Sequence, residues 1–150
     1  MTAESTTQTL AAWVAGLSYD RLPDDVRERT KDILLDTFAS ALAGNSGDEI
    51  TQIDAVARAL GGPGDEATVI GRRPSTMVGA ALMNGYLITA ATVCDVHRPT
   101  LCHVTPEVIP PALATAERVG ADGRALITAI AAGLEVTTRI GNGLDYEVFR

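Results

Sequence analysis

Val26, Ile33, Leu34, Thr37, Phe38, Ala41 and Leu42 recur at three- and four-residue spacing, which lines them up on one face of a helix. Pro23 suits the first turn, Asp24 and Asp25 follow it at the positive end of the helix dipole, and Gly44 is a stop. This stretch commits the chain to helix packing. The same periodicity predicts a shorter helix over Thr9 to Leu17. A third is marked by Ile50, Ile53, Val56, Ala57 and Leu60 and ends at Gly61-Gly62-Pro63-Gly64. Ala67-Thr68-Val69-Ile70 is too short to found a sheet and reads as an extended connector. Ser75 is a candidate cap for a helix from about Val78 to Val93, in which Gly79, Ala80, Ala81, Gly85, Ala90 and Ala91 let a neighbouring helix come close. Pro106 starts a further helix carrying Val108, Ile109, Leu113 and Ala116, closed by Val119-Gly120-Ala121-Asp122-Gly123. A last one carries Leu126, Ile127, Ile130, Leu134 and Ile140. The expected fold class is all-α, with five or six helices.

At 150 residues the chain holds one core, so residues 1–150 read as a single domain or part of one, with residues 1–6 expected to be disordered. A formal net charge of -7 excludes the cationic footprint that a nucleic-acid backbone demands. Lys31 is the one lysine among 12 cationic side chains, so lysine chemistry has a single possible source. No cationic n-region precedes the interrupted apolar stretch around Trp13, and no run approaches the roughly 18 apolar residues of a membrane span. A cytoplasmic, membrane-free protein is expected, and in that compartment Cys94 and Cys102 are expected to stay unlinked.

Both histidines, both cysteines and one aspartate fall within Cys94-Asp95-Val96-His97-Arg98-Pro99-Thr100-Leu101-Cys102-His103. The residue types suit zinc, but the spacing follows no familiar zinc pattern and adjacent Cys102 and His103 rarely reach one ion, so no metal is expected. Both cysteines read as small buried hydrophobes. His103 stands just before the helix expected at Pro106, where free backbone N–H groups favour an anion, and an imidazole exchanges protons near neutrality. On the residues alone, a merely hydrogen-bonded structural histidine is the commoner outcome.

Asp32 to Gly44, Ala67-Thr68-Val69-Ile70-Gly71, Ala80-Ala81-Leu82-Met83-Asn84-Gly85, His103 with Pro106 and Val108-Ile109-Pro110-Pro111-Ala112-Leu113, and Gly133-Leu134-Glu135-Val136 follow one another along the chain. In that order they resemble the N-terminal helical part of the MmgE/PrpD family. The resemblance implies a helical domain belonging to cofactor-free enzymes that move protons on small polycarboxylates, with the active site between that domain and a smaller one. It implies His103 as a catalytic residue and no cofactor or metal; Asp95, the family aspartate that is kept, is taken as the second catalytic residue, orienting His103 or binding the substrate. Thr92 and Thr105, which stand where the family has other polar residues, are expected substrate contacts, and His97, in a stretch with no clear family counterpart, is a secondary candidate for the same role. Where the family carries a run of aspartates, this chain has Thr92 and Cys94 at the first two positions, keeps Asp95, and has Val96 at the family threonine. The family's lysines and second domain have no counterpart here.

Three functional readings follow. In the first, the chain is the small subunit of a split, heteromeric enzyme, completed by a companion subunit and, by analogy with a dimerising family, heterotetrameric; it would act on a small acidic molecule by an elimination-type step, a lyase reaction or a ring closure expelling an anionic leaving group in specialised metabolism. In the second, it is a non-catalytic binding or regulatory subunit with a degenerate family site. In the third, it is a fragment of an ordinary family dehydratase, which the altered acid positions disfavour.

Overall fold

A computed structural model describes residues 5–144. Six helices make up the described fold: α1 (Thr6–Ala15), α2 (Asp24–Ala43), α3 (Ile50–Gly61), α4 (Met77–Ala90), α5 (Thr105–Val119) and α6 (Gly123–Asn142). Among the described residues extended pairing is limited to two isolated antiparallel bridges, Ala67 with Ser75 and His97 with Cys102, so the fold is all-α. Ser5 and Thr6, inside the stretch expected to be disordered, are the cap and first residue of α1, with Ser5 and Gln8 forming a reciprocal capping box. Residues 1–4 of that stretch lie outside the described residues.

Helix α4 is the centre of the bundle and packs against α2, α3 and α5. Its sequence, Met77-Val78-Gly79-Ala80-Ala81-Leu82-Met83-Asn84-Gly85-Tyr86-Leu87-Ile88-Thr89-Ala90, is apolar nearly all round, as a helix with neighbours on several sides must be. Ala80, Met83, Leu87 and Ile88 are buried in one core with Ala41 of α2, Ala57 of α3 and Ala114 of α5. The expected close approaches are present. A Cβ on Gly79 would meet the Ala57 carbonyl oxygen of α3 at 3.3 Å, and one on Gly85 would meet the Pro106 carbonyl oxygen at 3.3 Å. Pro110, inside α5, has no N–H for that Pro106 carbonyl, and Gly85 packs where the helix bond is missing. The tightest approach is at Gly44, where a Cβ would lie 1.9 Å from the Leu87 carbonyl oxygen, so the end of α2 can sit on α4 only as glycine.

Several boundaries differ from the sequence reading. Helix α1 runs Thr6–Ala15 rather than Thr9 to Leu17, because Ser5 caps its start and Gly16 its end. Thr76, not Ser75, caps α4 by accepting the Gly79 N–H, because the Ser75 backbone exchanges hydrogen bonds with Ala67 at 2.9 and 3.0 Å and so belongs to the connector. The helix also ends at Ala90 rather than near Val93, because Thr92 turns into the left-handed region at φ 54°.

The connector 67–71 is fixed by side chains. Asn84, 1% exposed, accepts the Ile70 N–H at 2.9 Å and donates to the Thr68 carbonyl at 2.8 Å. Asn45 donates to the Ile70 carbonyl at 3.1 Å, and Glu117 of α5 takes both the Thr68 N–H and hydroxyl. Gly71 makes the turn at φ 74°, a conformation that costs glycine little.

The periphery is different. Leu35 and Leu42 on α2, Val56 and Leu60 on α3, and Val78 and Leu82 on α4 are exposed, at 71%, 57%, 46%, 69%, 54% and 37%. Each pair has the seven- or four-residue spacing that places both members on one helix face. Three helices of the bundle therefore carry apolar stripes facing solvent.

Candidate functional site

The segment between α4 and α5 carries both histidines, both cysteines and the aspartate singled out in the sequence. It leaves α4 through Thr92, whose N–H still donates to Thr89 at 2.9 Å, and it contains a tight turn. In that turn the His97 N–H donates to the Cys102 carbonyl at 2.8 Å and the Thr100 N–H to the His97 carbonyl at 3.1 Å. Leu101 closes the turn at φ 53°. Two residues without the freedom of glycine, one of them β-branched, are thus held in the left-handed region.

Asp95 anchors this segment to the bundle. Its carboxylate accepts the Thr105 N–H at 3.1 Å and also the Thr105 hydroxyl. Thr105 is the first residue of α5 and Val104 supplies no capping side chain, so Asp95 serves as the cap from ten residues away. An anion does sit at the start of α5, as that helix end favours, but it is the protein's own. Thr105, expected as a substrate contact, is 2% exposed with its hydroxyl engaged by Asp95.

His103 lies on the exposed side, one residue before the buried Val104. Its ring nitrogen Nδ1 is 3.3 Å from the Cys94 sulfur, a length at which a thiol and an imidazole share a hydrogen bond. Cys94 is half-buried and packs against the core; burial, and next the neighbouring Asp95 charge, push its thiol above the ordinary value. The sequence reads Cys94 as a packing residue and Asp95 as a catalytic one; in the structure Cys94 partners the histidine and Asp95 partners α5. The signal for this was Cys94 standing at a family aspartate position.

His97 is not joined to that pair. Its Nδ1 lies 2.8 Å from the Thr100 hydroxyl, inside the turn. Thr92 is exposed. Both cysteines are free thiols, and among the described residues no three His, Cys, Asp or Glu side chains come together as a metal-binding group.

The site is open rather than pocketed. A groove of about 890 Å³ lies between α1 and the end of α6, lined by Thr9, Leu10, Trp13, Arg139 and Ile140 among others, away from His103. A smaller one of about 390 Å³ takes one wall from Pro99 to Cys102 and the other from Gly141, Asn142 and Leu144. What the geometry presents chemically is an exposed imidazole, fixed at one nitrogen by a thiol, on a segment docked by an aspartate.

An all-helical domain organised round one apolar helix, with an exposed histidine before a proline-containing helix, is the class of protein defined so far. The chain belongs to the MmgE/PrpD N-terminal domain family, whose sequence pattern matches residues 8–149. It is similar to the cis-aconitate decarboxylase-like protein oryM of Aspergillus oryzae, 28% identical over 92% of this chain and 30% of the relative. It is also similar to the cis-aconitate decarboxylase of Aspergillus terreus, 27% identical over 92% of this chain and 29% of the relative. The chain thus spans about a third or less of these relatives' length. No solved structure matches it closely enough to count. No helix among the described residues is long and apolar enough to cross a membrane.

Proposed function

We propose that the chain is the small subunit of a split MmgE/PrpD-like enzyme, in which His103 gives or takes a proton, or binds an oxyanion, during a cofactor-free elimination on a small carboxylic acid. The observation that carries the catalytic half is the Cys94–His103 contact: it fixes one ring nitrogen while the residue stays exposed. The names of the decarboxylase relatives favour a carboxylate-bearing substrate and a lyase-type step, with ring closure and loss of an anionic leaving group as the other form of the same chemistry. Asp95 acts by holding the segment on α5, so that His103 sits at a defined place, and Thr92 and His97 contribute polar contacts to the bound acid.

The solvent-facing stripes on α2, α3 and α4 support the heteromeric half. Apolar patches beyond a few hundred Å² on a soluble domain mark an interaction surface, and a companion polypeptide carrying the rest of the family's helices and its second domain would cover them. A cytoplasmic pair of subunits, assembled as a heterotetramer, is the proposed form.

The test is reconstitution. This chain and the product of the adjacent reading frame, mixed and passed over size exclusion, are expected to elute together and to turn over a small di- or tricarboxylate. Separate elution would overturn the heteromeric reading. Full turnover by the pair with His103→Ala would overturn the catalytic one and leave a binding subunit.

A further inference from the structure

We infer that Cys94 is a positioning residue: its S–H donates to Nδ1 of His103, so the neutral ring is held as the tautomer with its proton on Nε2 and presents an N–H outward to an oxyanion of the substrate. The inference deepens the proposed function and rests on it only for the word substrate; the tautomer itself is a property of this chain alone. Three observations support it. The Sγ–Nδ1 separation is 3.3 Å, and among the described residues the sulfur is the hydrogen-bond partner His103 has. Burial and the Asp95 charge disfavour the thiolate, so near neutrality the sulfur keeps its proton and is the donor of the pair, leaving Nδ1 as acceptor. Cys94 itself is packed against the core cluster, which gives the donor a fixed place, as a group that selects a tautomer needs.

The consequence is chemical. A ring held this way offers a hydrogen bond through Nε2 and does not present a free basic nitrogen to the substrate side. The ligand class it fits is a carboxylate or an alkoxide-like oxygen bearing negative charge, rather than an acidic carbon that needs a base. Any carbon deprotonation in the assembled enzyme would then fall to a group outside this chain.

Nitrogen-15 spectra of the ring signals read this directly without turnover. With only two histidines, a His97→Gln variant assigns both sets. The pH is raised until the His103 signals stop moving, so that the ring is neutral. The expected result is a protonated Nε2 and an unprotonated Nδ1 in the full chain. Cys94→Ser, which keeps a donor, should preserve that pattern, and Cys94→Ala should lose it to exchange between tautomers. A proton on Nδ1 in the unmodified chain overturns the inference even if neither variant folds, and so does an unchanged single tautomer in folded Cys94→Ala. The inference and the catalytic role fail separately. A correct tautomer with undiminished turnover of His103→Ala would remove the catalysis and leave the positioning intact.

Discussion

The connector 67–71 and the segment 92–103 are both irregular stretches tied down by polar side chains, yet they are built in opposite ways. In the connector, backbone donors and acceptors meet the buried Asn84 and the half-buried Asn45, and the left-handed position is a glycine, Gly71. In the segment, the anchoring carboxylate and the imidazole are partly or wholly exposed, and the left-handed positions are Thr92 and Leu101. The first arrangement is relaxed and finished within the chain. The second holds strain, of the order of 1–2 kcal/mol per residue, and leaves a ring nitrogen of His103 without a partner among the described residues. Strain of that kind persists where surrounding structure over-determines it, and it concentrates at functional sites. The contrast separates two sets of residues: Asn84 and Gly71 serve the fold, and Cys94, Asp95 and His103 are the ones that the proposed function assigns to the site.

The largest expected effect lies in the connector. Asn84→Ala strips the Ile70 N–H and the Thr68 carbonyl of their partner in the core, and buried unpaired groups cost about 1–3 kcal/mol each. A loss of about 3 kcal/mol in urea unfolding is expected, with binding to the companion subunit reduced only through loss of folded protein. A change under about 0.5 kcal/mol would show that water or a shifted connector replaces the amide and would dissolve the contrast.

His103→Ala should do the reverse. Its side chain is exposed, so stability should hold within about 0.5 kcal/mol, while turnover of the proposed two-subunit enzyme should fall on the order of 10²-fold, the scale of a lost hydrogen-bond donor to an oxyanion and equivalent to about 2.7 kcal/mol. His97→Ala should cost less, since its ring bonds Thr100 within the turn. Equal small losses in the two variants would take the site away from His103.

These roles were unequally legible in the sequence. Periodicity located α2, α3, α5 and α6 because each has an amphipathic pattern with breakers at its ends, and the glycines and alanines of α4 announced tight packing that Gly44, Gly79 and Gly85 supply. The cap of α4 was missed by one residue, since Ser75 and Thr76 are both good caps and only the pairing of Ser75 with Ala67 decides between them. Asn84 was visible as part of a family word, but nothing in a linear pattern says that its amide holds a connector fourteen residues upstream. The same limit applied to the site: spacing placed Asp95 and His103 in one segment, while which of them met α5 depended on the turn at His97–Cys102 and on Thr92.

Asp95 sharpens the comparison by separating a structural anchor from a charged contact. Asp95→Ala removes both bonds to Thr105 and should cost about 1.5 kcal/mol of stability, as losses of helix caps do, with a fall in turnover because the segment loosens. Asp95→Asn keeps an acceptor oxygen for the α5 N-terminus and should stay within about 0.5 kcal/mol of the parent, with turnover largely retained. If Asp95→Asn folds as well as the parent but loses turnover as severely as Asp95→Ala, the carboxylate charge acts on the substrate and not on α5.

The smallest effect tests the strain itself. Thr92 sits at φ 54° and is exposed, so Thr92→Gly relieves about 1–2 kcal/mol of left-handed strain and gives back about 0.5–1 kcal/mol through the greater freedom of glycine in the unfolded chain. The expected balance is a gain of about 0.5 kcal/mol, seen as a modest rise in the thermal midpoint, together with reduced turnover because the segment is held less firmly and the threonine hydroxyl is gone. Gly71→Ala in the connector is the mirror experiment: it introduces strain at φ 74° and brings a Cβ to 2.8 Å from the Asn45 amide nitrogen, so it should destabilise by more than Thr92→Gly stabilises. A loss of stability of 1 kcal/mol or more in Thr92→Gly would mean that the threonine side chain holds the turn in place. The segment would then be a second structural joint like the connector, and its left-handed residues would no longer mark a site.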